Sequence, residues 1–409
     1  MKKKNGFTLV ELLAVIVILA IILVIAVPKI TDTINNSKKA SFESSAKTIA
    51  AQAEKKKMEK EILEDSGSIN CSDVVKLSDT DYDSCSITFD GNTAKVSLVG
   101  KGKFEGLQII NGTKDNATAG EIKPPEYGNA VDYINGLFDY NASLNGLKKD
   151  NTGDENIRYE GANPNNYVEF NGETWRIIGV FGSNLKLVRE EILAEYSFDN
   201  KTTAQGIDND YGTNDWSNSY LREFLNDYYY EGKTITCHSE TSGSITTTAT
   251  NATITCPDIN KINATAKSMI QKTMWNLGGI TYETKPVNEL YIKERGKEVY
   301  SGHETKSSDY IGLIYPSDFV FASTDESCGQ NPYSYTCKSN NWLYKDAQYW
   351  TISPYSSGAY RVFNVLNSGI LGYYRALCRE GVRPSLYLKS NVKIVSGLGT
   401  KDNMFKLEI

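Results

Sequence analysis

From Phe7 to Val27 every residue is apolar or small except Thr8 and Glu11, and the lysines Lys2, Lys3 and Lys4 stand ahead of the run. At about 1.5 Å per residue this stretch makes a helix of roughly 30 Å, the thickness of a bilayer core. The basic flank is expected to stay in the cytoplasm, which leaves the bulk of the chain outside. After Pro28 the apolar positions fall into three- and four-residue spacing at Ile30, Ile34, Phe42, Ala46, Ile49, Ala50 and Ala53. Lys29, Asp32, Lys38, Lys39 and Lys47 occupy other positions around the helix. The pattern predicts one long helix over residues 7–63, membrane-spanning over 7–27 and amphipathic beyond, stopped by Glu64-Asp65-Ser66-Gly67.

The period then changes to two. Ser86 to Phe89, a turn at Asp90-Gly91, Ala94 to Val99 and Phe104 to Ile110 read as short antiparallel strands within a region 64–111. Residues 112–128 are polar, carry Pro124-Pro125 and read as a linker. The region 129–409 opens with a short helix at Ala130–Leu137. Strands are expected at Tyr167–Phe170, Thr174–Val180 and Leu185–Arg189, and helices around Tyr220–Leu225 and over Ala264–Leu277. The Thr/Ser-rich stretch between Cys237 and Cys256 reads as a stapled hairpin or loop.

One residue of the apolar run has no place in a plain anchor. A carboxylate at Glu11 costs a few kcal/mol inside the span, so it needs a partner or a role. The basic leader, Gly6 and Phe7-Thr8-Leu9-Val10-Glu11-Leu12-Leu13 resemble the signal of type IV pilins and pseudopilins. The resemblance implies cleavage by a prepilin peptidase between Gly6 and Phe7, which leaves residues 1–6 as a leader, and N-methylation of Phe7. It also implies that Glu11 neutralises the amino terminus of a neighbouring subunit, and that Pro28 is the helix-kinking proline of many pilins. Pairing makes a buried carboxylate tolerable. A secretory signal peptide would have a shorter apolar core and an A-x-A-like site, which VPKITD lacks; a plain signal anchor leaves Gly6-Phe7 and Glu11 unexplained.

Composition narrows the rest. Lys and Arg total 44 against 50 Asp and Glu, a formal charge of -6 with the basic residues scattered rather than gathered into a large basic surface, so a nucleic-acid partner is not expected. Tyrosines outnumber phenylalanines 26 to 13, a bias that suits both broad β surfaces and binding faces. The seven cysteines form no C-x-x-C pair and only His238 and His303 could add imidazole, which speaks against zinc. Export favours disulfides. Neighbours in sequence suggest Cys71 with Cys85, Cys237 with Cys256 and Cys328 with Cys337, which leaves Cys378 as a free thiol or as evidence of a different pairing.

A second resemblance rests on Trp175-Arg176-Ile177-Ile178-Gly179, Tyr310 to Asp318, Asn341-Trp342-Leu343, Trp350-Thr351-Ile352-Ser353-Pro354 and Gly381-Val382-Arg383-Pro384-Ser385-Leu386-Tyr387-Leu388. These resemble a module of unassigned activity on Firmicutes surface proteins, itself distantly similar to C-type lectin-like and formylglycine-generating-enzyme-like folds. Trp175, Trp342 and Trp350 are expected as core residues, and Arg383 as a buried tie to carbonyls or a carboxylate. No G-x-S-x-G occurs, and both histidines lie in polar stretches expected to be solvated, so no enzyme activity and no cofactor are expected. Asp208, Asp210 and Asp215 sit in an oxygen-rich, glycine-containing stretch that resembles a calcium loop, but the ordered spacing of such loops is missing.

The expected fold is therefore α+β: a long N-terminal helix with a small antiparallel pilin head, followed by a large β-rich module. The expected protein is a minor or tip pilin. It is made in the cytoplasmic membrane, partnered by other pilin subunits and the assembly machinery, and shown at the cell surface to bind a glycan or host-surface ligand. A pseudopilin of a type II secretion or DNA-uptake machine and a surface-displayed enzyme stand as alternatives.

Overall fold

The computed structural model describes residues 9–62, 69–75, 81–121, 125–202, 211–241 and 248–409; the side chains of residues 9–32 lie outside that description. The chain divides into two compact units at Pro124/Pro125.

In the first unit, helix α1 (Leu9–Ile62) is followed by a short helix α2 (Cys71–Val74) and strands β1 (Tyr82–Asp90), β2 (Thr93–Gly100), β3 (Leu107–Gly112) and β4 (Gly120–Glu121). The strands form one antiparallel sheet in sequence order. β2 alternates strictly, with Ala94, Val96, Leu98 and Gly100 buried, and packs on the helix stripe Phe42, Ala46, Ile49, Ala50 and Ala53. Alanine at three of the five helix positions keeps the stripe flat and the helix close to the sheet. Phe42 closes one end against Phe104, ring centroids 5.2 Å apart, and burial of such a ring contributes about 1.5–3 kcal/mol. Glu54 accepts from Ala94 N at 3.2 Å and pairs with Lys114 at 2.9 Å, a hydrogen bond that holds its carboxyl below the usual range. A disulfide ties Cys71 in α2 to Cys85 in β1.

The second unit starts with β5 (Gly128–Asn129), α3 (Ala130–Asn145), β6 (Leu147–Lys149) and β7 (Ile157–Tyr159). It continues with β8 (Tyr167–Phe170), β9 (Glu173–Phe181), β10 (Asn184–Arg189), β11 (Ala194–Ser197) and α4 (Tyr220–Glu223), then a π-helical turn at Phe224–Glu231. Next come β12 (Cys237–His238), β13 (Thr253–Ile254), α5 (Ala264–Met269), β14 (Ile270–Gln271), β15 (Thr273–Asn276), α6 (Val287–Glu294), β16 (Lys306–Asp309) and β17 (Ile311–Gly312). The last elements are α7 (Pro316–Phe321), α8 (Glu326–Gln330), β18 (Tyr349–Pro354), β19 (Arg361–Val365), β20 (Leu371–Arg375), β21 (Arg379–Val382), β22 (Ser385–Leu388), β23 (Lys393–Ser396) and β24 (Phe405–Glu408).

Two sheets dominate this unit. The larger runs β14-β22-β10-β9-β8-β24-β23-β5, with β17 beside β22 and the hairpin β6–β7 joined to β9; the smaller runs β11-β21-β18-β19-β20. The chain passes from one to the other between β21 and β22, at Arg383-Pro384. There Arg383, fully buried, donates from Nε to Arg189 O at 3.1 Å and from Nη1 to Leu343 O at 3.0 Å, with Glu190 beyond at 3.8 Å. Trp175, Trp342 and Trp350 are all buried in the shared core. Gly369, at φ +81°, makes the turn between β19 and β20, where an L side chain would be strained.

Three segments depart from expectation. Within 112–128, β4 completes the head sheet, and Ala117 and Ala119 are buried in the head core. The polar neighbours that suggested a linker are the exposed side of that segment. The predicted helix over Ala264–Leu277 stops at Met269: Ile270 pairs with Leu388 in β22, and Trp275 lies in β15 with its indole against Gly312. Apolar residues at helical spacing here serve two strand pairings, a tertiary override of local pattern. Ile34 is half exposed although it falls on the apolar stripe, because the sheet reaches the helix only from Phe42 onward.

Candidate functional site

The sequence-predicted sites are placed as follows. Gly6 and Phe7 lie outside the described residues, as do Asp208 and Asp210. Glu11 and Pro28 are within the backbone of α1, with side chains outside the description. Asp215 caps a short 3-10 turn, accepting from Ser217 N at 3.1 Å, and burial raises its carboxyl above the usual range. Among the described residues no group of three or more His, Cys, Asp or Glu side chains could hold a metal ion. No helix among them is long and apolar enough to cross a membrane, the expected span at 7–27 being outside the described side chains.

Disulfides join Cys71 to Cys85, Cys237 to Cys256 and Cys328 to Cys337, and Cys378 is a buried free thiol whose pKa burial pushes up to about 11. The histidines are not solvated as expected. His238 is half-buried, its ring stacked on Tyr220 at 4.1 Å; His303 is half-buried with both ring nitrogens unpartnered, and burial lowers its pKa. Stacking on an aromatic neighbour cannot be read from a polar flanking sequence.

Where the sequence reading placed only strands and helix ends, the fold assembles a buried ionic hub. Asp318, at the start of α7, accepts from Arg158 Nη1 at 2.7 Å through one carboxylate oxygen. Through the other it accepts from Lys186 Nζ at 2.6 Å and from Tyr315 N at 2.9 Å. Arg158 also donates from Nε to Asp150 Oδ2 at 2.6 Å, and Asp150 is fixed in turn by Thr152 and Asn156. Gly179 makes this possible: it faces Arg158 in the β7–β9 pairing, and a Cβ there would meet Ile157 O at 2.2 Å. Beside the hub, Ser317 gives both its N–H and its hydroxyl to Glu294, whose other contact is Arg295 at 3.2 Å.

The electrostatics follow from burial and pairing. Burial would raise the Asp318 carboxyl, but the charges of Lys186 and Arg158 overcome it and hold the pKa down to about 2. Burial pulls Lys186 down to about 8 against the pull of Asp318, and pushes Glu294 up to about 7 against Arg295 and Ser317. Lys186 and Glu294 are both fully buried, so the two groups titrating near neutrality do not meet solvent. The arrangement pins β7, β10 and α7 together, and removing one partner from such a cluster costs about 3–5 kcal/mol.

Two cavities flank the hub. One, of about 340 Å³, opens between the β6–β7 hairpin, the start of α6 and α8, and has Arg158 and Phe321 in its lining. The other, of about 400 Å³, is walled by Tyr291, Tyr315, Tyr387 and Arg295, with Asp154 and Asn156 at its edge. Phe181 and Phe321 sandwich the Arg158 guanidinium, each ring centroid 4.6 Å away.

Comparison with known families bears on both ends of the chain. Residues 182–390, just over half of the 409, match the family described as Domain of unknown function (DUF6273). The chain belongs to this family. Residues 1–27 match the Prokaryotic N-terminal methylation motif, which supports a pilin-like signal at the N-terminus. No curated protein and no solved structure matches the chain. The DUF6273 span holds Lys186, Glu294, Arg295 and Asp318, whereas Asp150 and Arg158 precede it, so the hub and the smaller cavity draw on both the family region and the hairpin ahead of it. One signal could have disclosed the hub: Lys186 interrupts the apolar strand Leu185-Lys186-Leu187-Val188, and a charge inside a buried strand needs a buried partner.

Proposed function

We propose that this chain is a type IV pilin-like subunit, minor or tip-located, that carries its C-terminal module to the outside of the cell for ligand binding. The observation that carries the reading is the methylation motif at residues 1–27 running directly into a 54-residue helix whose distal half packs on a four-stranded sheet. A prepilin peptidase cuts after Gly6 and methylates Phe7, Glu11 meets the amino terminus of a neighbouring subunit, and the membrane holds residues 7–27 until assembly. The DUF6273 region adds a body much larger than the head, which suits a sparse or terminal subunit more than the repeating unit of a shaft. The role proposed is structural and recognitive rather than enzymatic. It is supported by the methylation motif at residues 1–27.

Replacing Gly6 by leucine tests the processing step. The variant is expected to accumulate as a precursor retaining residues 1–6, seen by mass analysis of the membrane fraction; a mature band starting at Phe7 would refute the cleavage site. Deleting residues 125–409 separates display from a priming role in assembly. Filaments that persist but fail to attach fit display, and loss of filaments favours the pseudopilin alternative.

A further inference from the structure

We propose that the cavity between the β6–β7 hairpin, α6 and α8 binds a neutral polyhydroxylated ring, that is, a saccharide unit. The proposal rests on the display reading for its setting and goes beyond it by naming a site and a ligand chemistry. An unsatisfied donor supplies the first argument. Arg158 lines the cavity, is 2% exposed, and spends Nε on Asp150 and Nη1 on Asp318, while its buried Nη2 has no hydrogen-bond partner. Buried guanidinium nitrogens rarely go unpaired, so Arg158 keeps an open donor capacity in the wall of the cavity.

The character of the walls supplies the second. Phe321, Val287 and Pro286 give an apolar side, and Asn151, Asn288 and Gln330 give amide donors and acceptors. A sugar ring has the same two-sided nature, with C–H faces and hydroxyl edges. The volume of about 340 Å³ falls near the lower end of small-ligand sites, which run from about 300 to 1,000 Å³.

Charge supplies the third. The cationic groups here are already paired: Lys148 with Glu160 at 3.6 Å, Lys149 with Glu155 at 3.5 Å, and Arg158 with two carboxylates. Asp325 caps its own helix, accepting from Ser327 N at 2.9 Å. The lining holds three basic side chains (Lys148, Lys149, Arg158) against four acidic ones (Asp150, Glu160, Asp325, Glu326), so nothing favours an anionic ligand over a neutral one.

Gly329 offers a clean way to fill the site. It lies in α8 on the cavity wall, and a Cβ there meets only Val287 Cγ1, at an ordinary 3.9 Å. The test is saturation-transfer NMR on the full-length chain in detergent, with glucose, galactose, N-acetylglucosamine, maltose and lactose as probes. At least one of these sugars is expected to receive saturation at its ring protons, with the signal kept by Gly329→Ala and lost in Gly329→Phe. Asn288→Trp, which fills the cavity from α6, is expected to abolish it as well, and tryptophan fluorescence reports whether each variant is folded. No transfer to any of the sugars, or transfer that survives both blocking variants, overturns the assignment. Because filament incorporation is scored separately, normal incorporation without sugar binding defeats the saccharide site alone. Sugar binding without incorporation defeats the filament reading alone.

Discussion

The helix face of the helix-plus-sheet unit is mostly alanine, Ala46, Ala50 and Ala53 beside Ile49, set against medium-sized sheet residues such as Val96, Leu98 and Ile109 and closed by Phe42 and Phe104, and its most buried charge among the described residues, Glu54, has an exposed partner in Lys114. The C-terminal unit instead fully buries Trp175, Trp216, Trp275 and Trp350 together with Lys186 and Arg383. An alanine-faced helix gains little from any one residue and depends on close approach along its length. That suits an element whose other surface has to serve packing with further copies. An interior of large rings around paired charges gains much from each contact and tolerates little rearrangement, so it holds cavity walls in fixed positions. Under the proposed function, assembly and recognition make different demands on packing, and each unit's interior matches one of them.

The sharpest way to break this contrast is at the hub. Asp318→Asn leaves Lys186 and Arg158 buried without their counter-charge, and the C-terminal unit is expected to lose about 3–5 kcal/mol. All five tryptophans lie between residues 175 and 350, so fluorescence-detected urea unfolding follows that unit alone. A midpoint within error of the parent would mean that the hub contributes nothing net.

The titration of Glu294 gives a smaller, pH-dependent effect. Its folded pKa, raised by burial to about 7 from 4.5, means that the folded state keeps a proton the unfolded chain releases as pH climbs. Stability is therefore fully present below pH 4.5 and falls between 4.5 and about 7, by on the order of 3 kcal/mol for a shift of this size. Glu380, pushed up to about 7 by burial and by Glu195, adds a slope of the same sign. In Glu294→Gln the decline is expected to shrink, leaving the part due to Glu380. An unchanged slope would remove Glu294 from the account.

In the other unit the expected effects are smaller again. Ala46→Leu overfills the seam between helix and sheet and is expected to cost about 1–3 kcal/mol. Hydrogen exchange should detect this in β2 while tryptophan fluorescence stays as in the parent. Glu121→Ala removes an exposed pair with Lys39 at 2.5 Å and is expected to change stability by less than about 1 kcal/mol. A larger loss would mean that β4 is held by that pair rather than by its strand hydrogen bonds.

The long helix, the hairpin strands of the head and the strands Tyr167–Phe170, Thr174–Val180 and Leu185–Arg189 were legible because their periods are regular and their turns carry Asp-Gly, Asn-Gly or Gly signals. Ala264–Leu277 misled because Ile270 and Trp275 satisfy strand partners more than a hundred and some thirty residues away, Leu388 and Ser307. The hub was illegible for the same reason. Arg158, Lys186 and Asp318 are separated by 28 and 132 residues (the second figure from Lys186 to Asp318), and no local spacing announces that two strands and a helix will bring them together. Of the site, only the oddity of a lysine within a buried strand was visible in advance.

The central claim is that one processed polypeptide carries both units into a filament. Mass analysis of sheared, purified filaments tests it most directly. The account predicts an N-terminal peptide beginning at N-methylated Phe7, recovered together with peptides from residues 125–409 in the same fraction. Recovery of the chain only in membranes, with Met1 to Gly6 still attached, would contradict it.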